Sequence, residues 1–322
     1  MVRALNEALR RSLAEDPRML VLGEDIGKLG GVFRVTEGLQ AEFGSSRVFD
    51  TPLAEAAIAG VSLGMALAGW HPVAEMQFDG FSYPALDQII SHIAKYRYRS
   101  RGRQPVPMVI RIPVAGGIGA AEHHSESPEA YYAHTAGLKV VVPSSAVDAY
   151  HLLRASIADP DPVIFLEPKS RYWSKEEGSL EANGDGALPL GKARIVRVGS
   201  DCTIVSYGAM VARSLAAAAR ASSDGTQVEV LDLRSLVPLD LDALAASVRR
   251  TGRAVVVHEA PLTAGFGAEV VARIVEDCFD YLEAPVLRVT GYDTPYPPAT
   301  IESHYLPSVA RILAAVDRVT NY

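Results

Sequence analysis

Cysteine is nearly missing from this chain of 322 residues, and the two present, Cys202 and Cys278, lie far apart and outside any CxxC or Cys/His cluster. That excludes a disulfide framework and a cysteine zinc site, and leaves two thiols expected to be buried. Long apolar runs are missing too. The stretch PMVIRIPVAGGIGAA is broken by Arg111 and Pro113, so no membrane span is expected. Positive charge is in deficit: a net charge of -7 argues against a general nucleic-acid binder. The exception is a local run, Lys95, Arg97, Arg99, Arg101 and Arg103, near the end of a helix expected over 86–101, where cations complement the C-terminal dipole. It reads as a solvated or interfacial helix end, with binding of a phosphate or an acidic partner as the alternative. The opening ALNEALRRSLAEDP has helical spacing but neither a long apolar core nor a small-residue cleavage site, and reads as a mature cytosolic start.

What the chain has is alternation. Short β-branched runs (MLVLGED, HPVAEMQF, PMVIRIP, LKVVVPS, PVIFLEP) are separated by Ala/Leu-rich segments, including a helix expected over 146–158. This order predicts an α/β, doubly wound, largely parallel sheet with helices on both faces, in which ligands bind beyond the carboxyl ends of the strands. SKEEGSLEANGDGALPLG lacks apolar periodicity and reads as a linker, dividing the chain into domains 1–173 and 191–322 around a connection at 174–190. A second series follows: KARIVRVG, DCTIVSYG, a helix over 209–221, VEVLDL, a helix over 241–251, AVVVHEA, a helix over 267–278, and PVLRVTG. It predicts a smaller α/β domain.

Four features can carry chemistry. The first is Glu55, a carboxylate inside DTPLAEAAIAGVSLGMALAG, a run of otherwise small and apolar residues. Thr51 is expected to cap a helix with Pro52 in its first turn, placing Glu55 one turn in. Small neighbours allow another backbone or a partner subunit to approach and desolvate the carboxyl, favouring a protonated or proton-sharing state. The alternative is a structural Glu held by the helix dipole. The second is the pair His123 and His124 in a Gly-rich loop, able to move protons near neutral pH or merely to satisfy loop hydrogen bonds. The third is the strand end with Gln77, Asp79, Gly80 and Phe81, where Phe81 either stacks on a planar ring or packs in the core. The fourth is the turn ASIADPDP, whose Asp159 and Asp161 suit a hard cation or ordinary Asp/Pro turn chemistry.

Taken together, GEDIGKLGGVFRVTEGL, RVFDTPLAEAAIAG, PVAEMQFDGFSYPALDQI, AKYRYRS, HHSESPEAYYAHTAGLKVVVPS, DPDPVIFLEPK and DLRSLVPLD resemble the beta subunit of the thiamine-diphosphate-dependent decarboxylase of 2-oxo acid dehydrogenase complexes. The resemblance covers nearly the whole chain. It implies a transketolase-like pyrimidine-binding domain followed by a transketolase C-terminal domain, working in an α2β2 heterotetramer. Thiamine diphosphate would lie at the α/β interface, with its diphosphate and magnesium held by the alpha subunit. That division agrees with the lack of a diphosphate motif here: Gly184-Asp185-Gly186 falls in the expected linker, and the only asparagines are Asn6, Asn183 and Asn321.

By the same resemblance Glu55 bonds the pyrimidine ring nitrogen and promotes the imino form, and Phe81 packs on the pyrimidine, where relatives carry an aromatic. His124, from the HSxSPEA motif, assists acyl transfer to lipoamide. Relatives often have Gln where Glu126 stands. A potassium loop matches Met108, Val109, Ser156, Ile157, Asp159 and Asp161, mainly through carbonyls, with Asp161 where relatives tend to have Asn. The segments HHSESPEA and FDGFSYP resemble bacterial branched-chain members, which implies a branched-chain 2-oxo acid substrate and a lipoyl acyltransferase core as partner. A pyruvate or acetoin dehydrogenase beta subunit, or a noncatalytic subunit docking the acyltransferase core, are the alternatives.

Overall fold

The computed structural model describes residues 1–176, 178, 180 and 188–322, so the Gly184–Gly186 triplet and most of the expected linker lie outside the described residues. Six strands of the first domain are β1 (Met19–Gly23), β2 (Val48–Asp50), β3 (His71–Glu75), β4 (Val109–Val114), β5 (Lys139–Val141) and β6 (Val163–Pro168). The second half contributes β7 (Arg194–Arg197), β8 (Cys202–Ser206), β9 (Val228–Asp232), β10 (Ser235–Val237), β11 (Ala254–Pro261) and β12 (Leu287–Gly291). The first sheet runs β10-β5-β6-β4-β3-β1-β2 and the second β12-β11-β8-β9-β7. All pairs are parallel except β10 with β5 and β7 with β9.

Alternate residues of the first sheet feed two separate cores, as the pleat demands. Val21, Val73, Val109, Val163 and Phe165 face the helices Val2–Glu15 and Ala146–Ala158. Leu22, Ala74, Ile110, Ile112 and Ile164 face the helix Glu55–Leu67 and the helical run from Gly80 to Arg99. This second core continues without a break into Val205, Leu231, Leu236 and Val256 of the other domain. Both cysteines are buried and free, as expected.

Two local expectations need correction, and one strand was not expected. The helix begins at Glu55 itself, with Ala54 at its cap and no side-chain cap bond. Thr51 lies three residues before that cap position, its N–H donating to Gly23 O at 2.9 Å at the end of the sheet and its hydroxyl finding no partner among the described residues. The helix expected over 86–101 starts earlier and changes pitch, with a 3-10 turn at Gly80–Ala85, a wide π turn at Gln88–Ile93 and an α turn at Ala94–Arg99. Finally, β10 belongs to the first sheet. Its three residues precede Pro238 and carry too little pattern to be read as a strand. Among the described residues no helix is long and apolar enough to cross a membrane.

Candidate active site

Glu55 stands at the amino end of its helix, where the unpaired N–H groups favour a carboxylate, and it is only 7% exposed. Glu24, just past the carboxyl end of β1, is its neighbour. Burial, then the charge of Glu55, then that of Asp25 push the Glu24 carboxyl above the usual range. One Glu24 oxygen, Oε1, is buried without a hydrogen-bond partner among the described residues. The charge of Glu55 thus acts on Glu24, and among the described residues no ion pair joins a cation to either carboxyl. The same helix turns an apolar face outward: Leu53 before it, then Ala56, Ala57, Val61 and Gly64, are all exposed.

The Glu55 helix packs against the turn Gly80–Ala85, which carries Phe81. His124 closes the turn Glu122–His124 and meets Phe81 edge-on, with ring centroids 5.0 Å apart at 83°. Its ring lies flat on Phe78, 3.9 Å away at 13°. Its Nδ1 lies 2.9 Å from His123 O, so Nε2 is the nitrogen left for an incoming group. Gly80 makes this meeting possible, since a Cβ there would overlap the main chain of His123.

Asp79 ties the two loops together. One carboxylate oxygen accepts from Lys169 Nζ at 2.6 Å and the other from Glu126 N–H at 2.7 Å. Asp79 and Lys169 are both fully buried. Glu126 in turn accepts from Tyr83 OH, which gives this position a structural anchor. Phe81 and His124 are therefore brought together by residues that follow three strands, β3, β4 and β6. Phe78, Glu24 and Lys169 were missed by the sequence reading: each is unremarkable in sequence, and only the parallel order of β1, β3, β4 and β6 makes them neighbours.

The model for the transketolase pyrimidine-binding domain matches residues 1–174, and that for the transketolase C-terminal domain matches 191–312. The chain is 56% identical to a 3-methyl-2-oxobutanoate dehydrogenase subunit beta of Mycobacterium tuberculosis, over 99% of this chain and 91% of that protein. It is 55% identical to a pyruvate dehydrogenase E1 component subunit beta of Leifsonia xyli, covering 100% of this chain and 95% of the relative. The chain belongs to the family of 2-oxo acid dehydrogenase beta subunits. A 2-oxoisovalerate dehydrogenase subunit beta of Pseudomonas aeruginosa is 48% identical over 99% of the chain and 94% of its own length. A solved structure described as a split-gene transketolase, an inactive beta4 tetramer, matches with a TM-score of 0.82 at 25% identity, covering 99% of this chain and 97% of that one.

The potassium-loop residues of the family resemblance gather at the opposite, amino end of β4 and β6. Met108 and Val109 enter β4, while Ser156, Ile157, Asp159 and Asp161 lead into β6. Both aspartates already hold cations: Asp159 accepts from Lys139 Nζ at 2.6 and 2.7 Å, and Asp161 from Arg97 at 2.7 Å. Met108 O accepts from Val163 N–H at 3.0 Å and Ser156 O from Asp159 N–H at 3.3 Å. What this loop offers an ion is therefore the free lone pairs of main-chain oxygens. Among the described residues no group of three or more His, Cys, Asp or Glu side chains is placed to hold a metal.

Proposed function

We propose that this chain is the beta half of a thiamine-diphosphate-dependent, branched-chain 2-oxo acid dehydrogenase that transfers the acyl group to lipoamide and works only with an alpha subunit. The observation that carries this reading is Glu55: a buried carboxylate at a helix head, beside a second carboxyl with an unpartnered oxygen, next to the turn bearing Phe81. Burial and the neighbouring Glu55 charge push the Glu24 carboxyl above the usual carboxylate range. Such a pair suits a ring nitrogen better than a phosphate or a metal, so these residues fit an aminopyrimidine, with Glu55 bonding its ring nitrogen and Phe81 covering its face. When bound, thiamine diphosphate supplies a nucleophilic carbon that adds to the 2-oxo carbon and accommodates the electrons released with carbon dioxide. Magnesium and the diphosphate would fall to the alpha subunit, as the family resemblance implies.

His124 takes the later role. Stacking on Phe78 and the contact of Nδ1 with His123 O fix the ring and leave Nε2 able to donate to or accept from the incoming lipoyl sulfur. The exposed apolar face of the Glu55 helix suits the alpha subunit, since its small side chains permit a helix to pack closely. The carbonyls of Met108, Val109, Ser156 and Ile157, beside Asp159 and Asp161, suit a weakly held potassium ion.

The Pseudomonas relative named for 2-oxoisovalerate and the Mycobacterium relative named for 3-methyl-2-oxobutanoate support a branched-chain substrate. The Leifsonia relative, at 55% against 56%, supports pyruvate as the second reading. Co-expression with candidate alpha subunits, followed by decarboxylation assays on 3-methyl-2-oxobutanoate and pyruvate, tests both. Higher kcat/KM on the branched acid is expected. Preference for pyruvate replaces the first reading with the second, and full activity of the alpha subunit alone refutes both.

A further inference from the structure

The loop Ala115–Glu126, which carries His124 near its end, is held from two sides. Its base is closed by Ala115 N–H donating to Glu126 O at 2.7 Å, and the first domain grips it through Asp79. The opposite grip comes from the second domain. Gly116 N–H donates to Glu259 Oε1 at 2.6 Å, and Gly117 and Gly119 N–H donate to Glu302 Oε1 at 2.9 and 3.3 Å. Tyr296 OH adds a bond of 2.8 Å to the same Glu302 oxygen. The two surfaces touch so closely that a Cβ on Gly116 would overlap the Tyr296 hydroxyl.

We propose that Glu302 is a positioning residue for acyl transfer, holding the tip of this loop so that His124 stays stacked on Phe78. The proposal rests on the role given to His124 above. Glu259 is buried and belongs to the permanent contact, whereas Glu302 is half-exposed and starts the short helix Glu302–Tyr305. Its hydrogen bonds to Gly117 and Gly119 lie at the surface. Removing Glu302 therefore leaves the base of the loop, Asp79 and Glu259 in place, takes the acceptor from Gly119 and leaves Gly117 only its longer, 3.3 Å bond to Tyr296 OH, loosening the segment that leads to His124. Negative charge matters less than the acceptor oxygen, since every partner of Oε1 is a neutral donor. The expected consequence is selective: transfer, which needs His124 in one place, suffers, whereas decarboxylation, centred on Glu55, does not.

The test uses the chain assembled with its alpha subunit, comparing Glu302→Ala, Glu302→Gln, Tyr296→Phe and His124→Ala. In Glu302→Ala, hydrogen exchange at Gly117 and Gly119 is expected to quicken about tenfold, and acylation of a lipoyl domain to fall about tenfold, as loss of shared acceptor bonds implies. Decarboxylation with an artificial electron acceptor should stay within about twofold. Glu302→Gln, which keeps an acceptor oxygen, should restore both, and Tyr296→Phe should show a weaker form of the defect. Unchanged exchange in Glu302→Ala overturns the proposal. So does faster exchange with normal acylation when His124→Ala lowers acylation. If His124→Ala leaves acylation intact, the role of His124 falls and the transfer claim with it, while exchange still decides whether Glu302 holds the loop.

Discussion

Lys169 and Asp79 form an ion pair with no solvent exposure, 2.6 Å between Nζ and Oδ1, and Asp79 uses its other oxygen to hold the main chain of Glu126. The pair joins the end of β6 to the turn carrying Phe81 and to the loop carrying His124. Asp79→Asn would leave the Lys169 ammonium buried beside a neutral amide. A loss of about 3–5 kcal/mol in urea unfolding is expected, the usual consequence of stranding one member of a buried pair. Asp79→Asn combined with Lys169→Met should recover much of that loss, because no charge then remains unmatched.

A second prediction concerns the outward face of the Glu55 helix. An added Cβ at Gly64 would meet nothing within 4 Å. Gly64→Trp should therefore leave the isolated chain folded, with a circular dichroism spectrum and melting temperature near those of the parent, yet block assembly with the alpha subunit in size-exclusion chromatography. Normal assembly of this variant would place the interface elsewhere.

The third is a pH effect. Glu129 is buried beneath Tyr207, which donates to it at 2.7 Å, and burial pushes its carboxyl up to about 7. The folded state then keeps a proton that the unfolded chain releases near pH 4.5. Stability from this group is full below that pH and is lost as pH rises toward about 7, a span worth of order 3 kcal/mol. Glu129→Gln keeps an acceptor for Tyr207 and should flatten this part of the stability curve, measured by urea unfolding at several pH values between the two. His258, pushed down to about 4 by burial, has the opposite slope and remains in both proteins.

The fourth addresses the loop before β6. Because Asp159 and Asp161 are neutralised by Lys139 and Arg97, a potassium ion there would rest on carbonyl oxygens. A melting temperature that rises in potassium chloride but not in sodium or choline chloride at equal ionic strength is expected. Equal curves in the three salts would show that Lys139 and Arg97 are the cations this loop needs.

Strand and helix order was legible because the patterns are strong and local. The helix over 146–158 was read with the bounds it has, since Ser145 accepts from Asp148 N–H as a regular cap. The Glu55 helix was started too early because Thr51-Pro52 carries the local signature of a helix start, while the bond from Thr51 to Gly23 depends on the neighbouring strand. β10 was invisible for a similar reason: three residues become a strand only where the edge of β5 is waiting. Within the site, Glu55 stood out as a lone carboxylate among small residues. Glu24 and Phe78 did not, because their importance comes from what lies across the sheet. The grip of Glu302 on Gly117 spans 185 residues of sequence and was beyond any local pattern.

The role of Glu55 is decided by decarboxylation of 3-methyl-2-oxobutanoate by the assembled enzyme carrying Glu55 or Glu55→Gln, at saturating thiamine diphosphate and magnesium. The substitution keeps size and burial while removing the acid. A fall in kcat of at least about a hundredfold is expected, as for loss of a positioned acid–base group, with assembly unchanged. A Glu55→Gln enzyme that assembles and decarboxylates within about twofold of the parent would contradict it.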